Sequence, residues 1–165
     1  MPGSTFKAIT AAIGVESGGI NPDENLGYVG LSWQKDASWG NYYVTTLTDY
    51  GDQVNLENAL VYSDNIYFAR AALNIGAETM ITKFKAMGFN EEIPFEMSLK
   101  SSTYDDDDNI DSDIQLADTG YGQGQLLVNP VHLLSMYSMF VNDGNMIRPT
   151  LAYPVSYTHL TLPTT

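Results

Sequence analysis

Apolar residues along the chain recur mostly at helical spacing. Phe6, Ile9, Thr10 and Ile13 fall at i, i+3, i+4 and i+7 behind a Pro2-Gly3 turn and a capping Ser4. This predicts a first helix ending at the Gly14 and Gly18-Gly19 breakers. From Gly27 to Thr48 the period is lost, and Trp33, Trp39, Tyr42 and Tyr43 stand among glycines and polar residues, as in a loop-rich excursion or a short hairpin. Asn55 opens a second helix through Leu56, Ala59 and Leu60, which breaks at Ser63-Asp64-Asn65 and resumes through Phe68, Ala69, Ala72 and Leu73 to Gly76. Met80, Phe84 and Met87 mark a third helix stopped by Gly88, and Asn129-Pro130 opens a fourth through Leu133, Leu134, Tyr137 and Phe140 to Gly144. Residues 98 to 113 are polar and acidic and read as a solvated loop.

Amphipathic helices need something to cover their apolar faces. The expectation is that a face made by residues such as Phe6, Ile9, Phe68 and Leu73 wants a further layer such as a sheet and, without one, stays uncovered and leaves the chain loosely packed. Trp33, Trp39, Tyr42 and Tyr43 are expected to form the core of a small subdomain rather than line a groove. His132 reads as a packed or surface residue and Met136 and Met139 as core filler.

Charge and composition remove whole classes of function. At 165 residues and 18.1 kDa there is one domain's worth of chain. Seven Lys and Arg against 20 Asp and Glu give a formal charge of -13, so a nucleic-acid backbone would be repelled and is excluded as a partner. The absence of cysteine removes disulfides, Cys-ligated zinc and thiol catalysis, and two histidines cannot build a His-rich metal centre. No cofactor is expected. No apolar run approaches the roughly 18 residues of a membrane span.

Two short motifs remain as candidate chemistry. In Ser4-Thr5-Phe6-Lys7 the serine and lysine share one helix face, one turn apart. Serine becomes a nucleophile when a neighbour takes its proton, and lysine can do so once burial leaves it neutral. Backbone N–H groups at a helix start also suit a developing oxyanion. Such a pattern arises by chance roughly once in a few hundred residues, and its plain reading is a cap followed by a solvated lysine. Ser63-Asp64-Asn65, at a helix break, offers a hydroxyl for proton relay and an amide for substrate; its plain reading is a local cap.

Together these are two of the three elements of the serine acyl-transfer set S-x-x-K, S-D-N and K-T-G. Pro2-Gly3-Ser4-Thr5-Phe6-Lys7, Trp33-Gln34-Lys35-Asp36 with Trp39-Gly40, Ser63-Asp64-Asn65 with Phe68-Ala69-Arg70, and Gly120-Tyr121-Gly122-Gln123-Gly124 before Asn129-Pro130 resemble, in order and spacing, the transpeptidase domain of class B penicillin-binding proteins. The Trp-Gln-Lys-Asp stretch is most similar to the low-affinity, methicillin-resistance type of Gram-positive bacteria. The resemblance implies an α+β fold of the penicillin-binding transpeptidase/β-lactamase-like type, of which this chain is mainly the α-helical lobe. It implies a D,D-transpeptidase that cross-links peptidoglycan stem peptides through an acyl-serine, is inhibited by β-lactam antibiotics, and works on the extracytoplasmic face of the bacterial membrane, held by an N-terminal anchor that this sequence does not contain. Carried over by position, Ser4 is the acylated nucleophile, Lys7 its general base, Ser63 the proton relay and Asn65 a substrate-amide contact. Gly122, Gln123 and Gly124 form a structural turn near the cleft.

The sequence departs from the pattern in lacking Lys-Ser/Thr-Gly, the strand-edge motif that binds substrate carboxylate; Lys100-Ser101-Ser102 lacks the glycine and precedes the glycine turn. Residues 1–153 are therefore read as a partial transpeptidase domain. Residues 154–165, rich in Thr, Leu and Pro and resembling translated adapter sequence, are read as a non-native tail. A β-lactamase or β-lactam sensor shares the first two motifs, but a class A hydrolase would carry Glu-x-x-x-Asn, and Glu96 is followed four residues on by Lys100. A different class, an acidic calcium-binding module, is suggested by alternating Asp107, Asn109, Asp111 and Asp113, although Ser112 stands where an EF-hand glycine belongs.

Overall fold

The computed structural model describes residues 1–151, and the boundary expected at residues 153 and 154 lies outside them. Six α-helices and one two-stranded hairpin make up the regular structure of these residues. A 3-10 turn, Gly3–Phe6, leads directly into α1, Lys7–Ser17. The hairpin pairs β1, Ser32–Trp33, with β2, Val44–Thr45, antiparallel, Ser32 opposite Thr45 and Trp33 opposite Val44. There follow α2, Leu56–Val61, α3, Asn65–Ile75, α4, Ala77–Ala86, α5, Asp113–Gly120, and α6, Pro130–Ser138, which tightens into a 3-10 turn at Met139–Val141.

Helix α3 is the centre of the molecule. Ile66, Tyr67, Phe68, Ala69, Ala71, Ala72 and Ile75 are all buried, and its closest neighbours are α5 and then α1. Small residues make this possible: a Cβ on Gly19 would stand 2.8 Å from an Ile75 side-chain carbon, so the end of α1 lies against the end of α3. Phe6, Phe84, Phe89 and Tyr104 interlock by tilted and edge-on ring contacts 4.9 to 6.4 Å between centroids. Buried aromatics of this kind contribute about 1.5–3 kcal/mol each by area alone.

Several expectations are corrected. Phe6, Ile9 and Phe68 are fully buried within this chain, covered by α4, the Phe89 segment and α5, rather than left for a sheet elsewhere. Exposed apolar side chains of the helices lie elsewhere, at Leu134, Phe140 and Val141 on α6 and its end and at Leu60 and Val61 on α2. Ser4 makes no cap, since Pro2 precedes the 3-10 turn without a side-chain bond, and Gly14 lies inside α1 rather than breaking it. Its missing Cβ admits Ile20, whose Cδ1 would otherwise be 2.3 Å away. The stretch 98–113 is not solvated throughout: Ser102, Tyr104 and Ile110 are buried, while Asp106, Asp107 and Asp108 are exposed. Helix α5 had no counterpart among the expected elements. Its eight residues, DIQLADTG, carry little helix propensity and form because Leu116, Ala117, Thr119 and Gly120 are buried against α3.

The hairpin excursion is an aromatic cluster. Trp39 is buried and meets Trp33 and Tyr42 edge-on at 5.4 and 5.9 Å; Tyr43, half exposed, stays out of it. His132 is buried, its Nε2 2.8 Å from the Met87 carbonyl and its Nδ1 2.8 Å from Ser102 Oγ. Met136 is fully buried and Met139 partly so. Among the described residues no helix is long and apolar enough to cross a membrane.

Candidate active site

Ser4 is positioned by backbone on both sides. Gly3, with φ +60°, donates its N–H to the Gly122 carbonyl at 2.9 Å. One residue after Ser4, the Thr5 carbonyl accepts the Tyr137 hydroxyl of α6 at 2.5 Å. Phe6 then drops into the core, so the turn presents Ser4 outward and sends Lys7 inward at the start of α1.

The second half of the site comes from the break between α2 and α3. Asp64 is buried and its carboxylate is fully used: Oδ1 accepts the N–H of Ile66 at 2.8 Å and of Tyr67 at 3.2 Å, and Oδ2 accepts the Tyr50 hydroxyl at 2.7 Å. This is an N-cap for α3 with a tyrosine locking it. Ser63, just before the cap, takes a left-handed φ of +55°, an arrangement that costs a non-glycine residue roughly 1–2 kcal/mol. Asn65, just after it, is the first residue of α3. The capping reading and the chemical one thus divide the tripeptide between them: Asp64 caps, while Ser63 and Asn65 project toward Lys7.

Lys7 is only 2% exposed and lies at the meeting point. Its Nζ donates to Ser4 Oγ at 3.1 Å, Ser63 Oγ at 2.9 Å, the Ser63 carbonyl at 2.6 Å and Asn65 Oδ1 at 2.7 Å. Ser63 Oγ in turn donates to Ser4 Oγ at 3.0 Å, closing a triangle of two hydroxyls and an amine. Asn65 Nδ2 donates to the Thr45 carbonyl of β2 at 2.9 Å, which orients its oxygen toward Lys7 and ties the hairpin to the site. Burial lowers the Lys7 pKa to about 8, opposed in part by the negative charge of Asp64, and the Phe68 ring centroid lies 6.0 Å from the amine. An amine whose pKa is brought down to about 8 beside an exposed hydroxyl is equipped for general-base activation of that hydroxyl.

All four residues singled out from the sequence, Ser4, Lys7, Ser63 and Asn65, therefore converge. Sequence reasoning missed the two backbone carbonyls that share in this, those of Ser63 and Thr45, because a carbonyl has no residue-type signature. It also missed the Tyr50 bond to Asp64. Lys100-Ser101-Ser102 lies away from this cluster and serves α6: Ser102 Oγ accepts the Asn129 N–H at 3.0 Å and the Lys100 carbonyl accepts Asn129 Nδ2 at 2.9 Å. The acidic stretch gives no ion cage. Asp113 pairs with Lys35, the Asp111 carboxylate accepts the Asn109 amide, and among the described residues no three Asp, Glu or His side chains are grouped to hold a metal.

Comparison with known proteins shows the family and the fold. Residues 1–162 match the family model described as the penicillin binding protein transpeptidase domain. The chain belongs to the penicillin-binding protein transpeptidase family. It is 50% identical over 150 residues to penicillin-binding protein 3 of Bacillus subtilis, covering 91% of this chain and 22% of that protein. It is 28% identical over 155 residues to a peptidoglycan D,D-transpeptidase FtsI homolog of Mesostigma viride, covering 90% of this chain and 26% of that protein. The chain thus spans about a quarter of the length of these curated relatives. In fold it is similar to penicillin-binding protein A from M. tuberculosis, solved as ceftriaxone and imipenem acyl-enzyme complexes, with TM-scores of 0.77 and 0.78 at 23% identity, over 90% of this chain and 33% and 34% of those chains. This transpeptidase segment is accordingly the mainly helical part of an α+β penicillin-binding fold.

Proposed function

We propose that this segment carries the nucleophile of a peptidoglycan D,D-transpeptidase, of the class B, methicillin-resistance type, acting on stem peptides outside the cytoplasmic membrane and acylated by β-lactams. The observation that supports it most directly is the triangle of Ser4 Oγ, Ser63 Oγ and Lys7 Nζ, with sides of 2.9 to 3.1 Å. Lys7 in its neutral form takes the Ser4 proton as Ser4 Oγ bonds to the stem-peptide carbonyl carbon. The proton passes from Lys7 through the Ser63 hydroxyl to the departing amine as the C–N bond breaks, leaving an acyl-serine and a neutral lysine. An incoming amine then bonds to the acyl carbon and gives its proton back along the same path as Ser4 Oγ leaves. Asn65, oriented by Thr45 and Lys7, holds a substrate amide at the mouth of the site.

The test uses a chimera in which residues 1–151 replace the matching segment of the Bacillus subtilis relative, so that the rest of that protein completes the domain. Fluorescent penicillin is expected to label it, and mass spectrometry to find the adduct on Ser4. Label on Ser63, or none on a folded chimera, overturns the assignment; rapid turnover of the adduct favours a β-lactamase.

A further inference from the structure

The glycine turn that follows α5, Gly120 to Gly124, packs beside both the Ser4 segment and α3. A Cβ on Gly122 would stand 2.1 Å from the Gly3 carbonyl oxygen and 2.9 Å from Phe6 Cβ. One on Gly120 would stand 2.4 Å from the Phe68 carbonyl oxygen and 2.6 Å from Ala72 Cβ. Bare backbone therefore touches the Ser4 segment on one side and α3, which begins at Asn65, on the other.

One side chain organises the turn from behind. Asp118 Oδ1 accepts the hydroxyls of both Tyr42 and Tyr121, which are themselves 3.3 Å apart. The main-chain carbonyl of Asp118 accepts the N–H of Gln123 at 2.9 Å and of Tyr121 at 3.3 Å. Asp118 thereby ties the hairpin, through Tyr42, to the glycine turn. Burial and the adjacent carboxylate push the Tyr42 hydroxyl up to about 12 and Tyr121 higher still, so both remain protonated donors across the working range of pH.

We propose that the Asp118 carboxylate is a positioning group for acyl transfer: by holding the Tyr42 and Tyr121 hydroxyls it fixes the Gly120–Gly124 turn, and through the Gly122–Gly3 hydrogen bond it fixes Ser4 against Lys7 and Ser63. The inference rests on the acyl-serine reading above. Misplacement of a reacting group by a fraction of an ångström to an ångström is costly, up to about 100-fold in rate, while leaving initial binding largely intact.

In the chimera, acylation by penicillin is resolved into a binding constant, a first-order acylation rate and a final labelled fraction. Asp118→Ala is expected to lower the acylation rate about 10- to 100-fold with the binding constant and the labelled fraction unchanged. Asp118→Asn, whose amide oxygen still accepts hydroxyls, is expected to recover to within about threefold of the parent. Hydrogen exchange of a peptide spanning residues 1–7 is expected to quicken in Asp118→Ala, reporting release of the Gly3 N–H independently of catalysis. A parent rate in Asp118→Ala, or a reduced labelled fraction at parent rate, overturns the proposal, the latter because it marks a loss of folded protein only. If Asp118→Ala does not fold, the double variant Tyr42→Phe and Tyr121→Phe is read the same way. Absence of label in the unsubstituted chimera would instead sink the functional reading, and parent-like exchange of residues 1–7 in Asp118→Ala would then still dispose of the positioning claim.

Discussion

The Ser63 carbonyl oxygen stands 2.6 Å from Lys7 Nζ, closer to it than either serine hydroxyl. It does so because Ser63 adopts a left-handed φ of +55°, which swings the peptide away from the path of α2 and into the cleft. A residue that departs from ordinary backbone geometry at the point where it meets a buried amine links local strain to the site it serves.

That strain is separable from the hydroxyl. Ser63→Ala and Ser63→Gly both remove the hydroxyl proposed as the relay and are each expected to slow acylation of the chimera about 100-fold. In urea unfolding, however, the glycine variant is expected to exceed the alanine variant by about 1 kcal/mol, since only glycine relaxes freely at positive φ. Equal stabilities would mean that the turn is not strained.

The acylation rate is expected to rise with pH and level off above about 8, following the fraction of Lys7 that is neutral. The sign follows from its role: the base form is the deprotonated one, and burial brings its formation down from 10.5. Lys7→Arg, which cannot lose its charge, is expected to lose at least about 100-fold in rate and the pH limb with it. A variant that acylates at the parent rate would reduce Lys7 to a positioning charge.

Asp64 offers a finer adjustment. Its charge raises the Lys7 pKa, so Asp64→Asn is expected to move the pH limb of acylation toward lower pH. Asparagine is as good an N-cap as aspartate, but its Nδ2 cannot accept the Tyr50 hydroxyl, and a stability loss of about 1–3 kcal/mol is expected from that bond. Stopped-flow acylation over a pH series checks the shift; a limb that moves upward contradicts it.

Gly120→Ala places a methyl 2.4 Å from the Phe68 carbonyl oxygen and 2.6 Å from Ala72 Cβ. Overpacking of this kind is expected to cost about 1–3 kcal/mol in chemical denaturation. Unchanged stability would show that α5 and α3 have room to part.

Much of this was legible in the residues because it rests on local rules. The caps at Asn55, Asp64 and Asn129, the stop at Gly88 and the spacing of Ser4 and Lys7 each act within one or two turns of helix. The site residues were legible for a different reason: serine, lysine and asparagine in these motifs resemble a known family, whereas nothing in their spacing alone says that Lys7 and Asn65 meet. What escaped was imposed from a distance. Helix α5 exists because Gly120 and Ala117 fit against α3, and Phe6 is buried by rings from Phe84 and Phe89, partners that no short-range pattern announces.

The four oxygens around Lys7 are not equivalent. The Ser63 carbonyl and Asn65 Oδ1, at 2.6 and 2.7 Å, can only receive a hydrogen, whereas the two serine hydroxyls, at 2.9 and 3.1 Å, can also give one. A neutral amine has two hydrogens and one lone pair. Its hydrogens go to the pair of oxygens that have nothing to offer in return, and the lone pair is left facing the hydroxyls. On the acyl-transfer reading proposed above, deprotonation aims the amine rather than loosening it, and the direction of proton flow at Ser4 follows from which neighbours are unable to reciprocate.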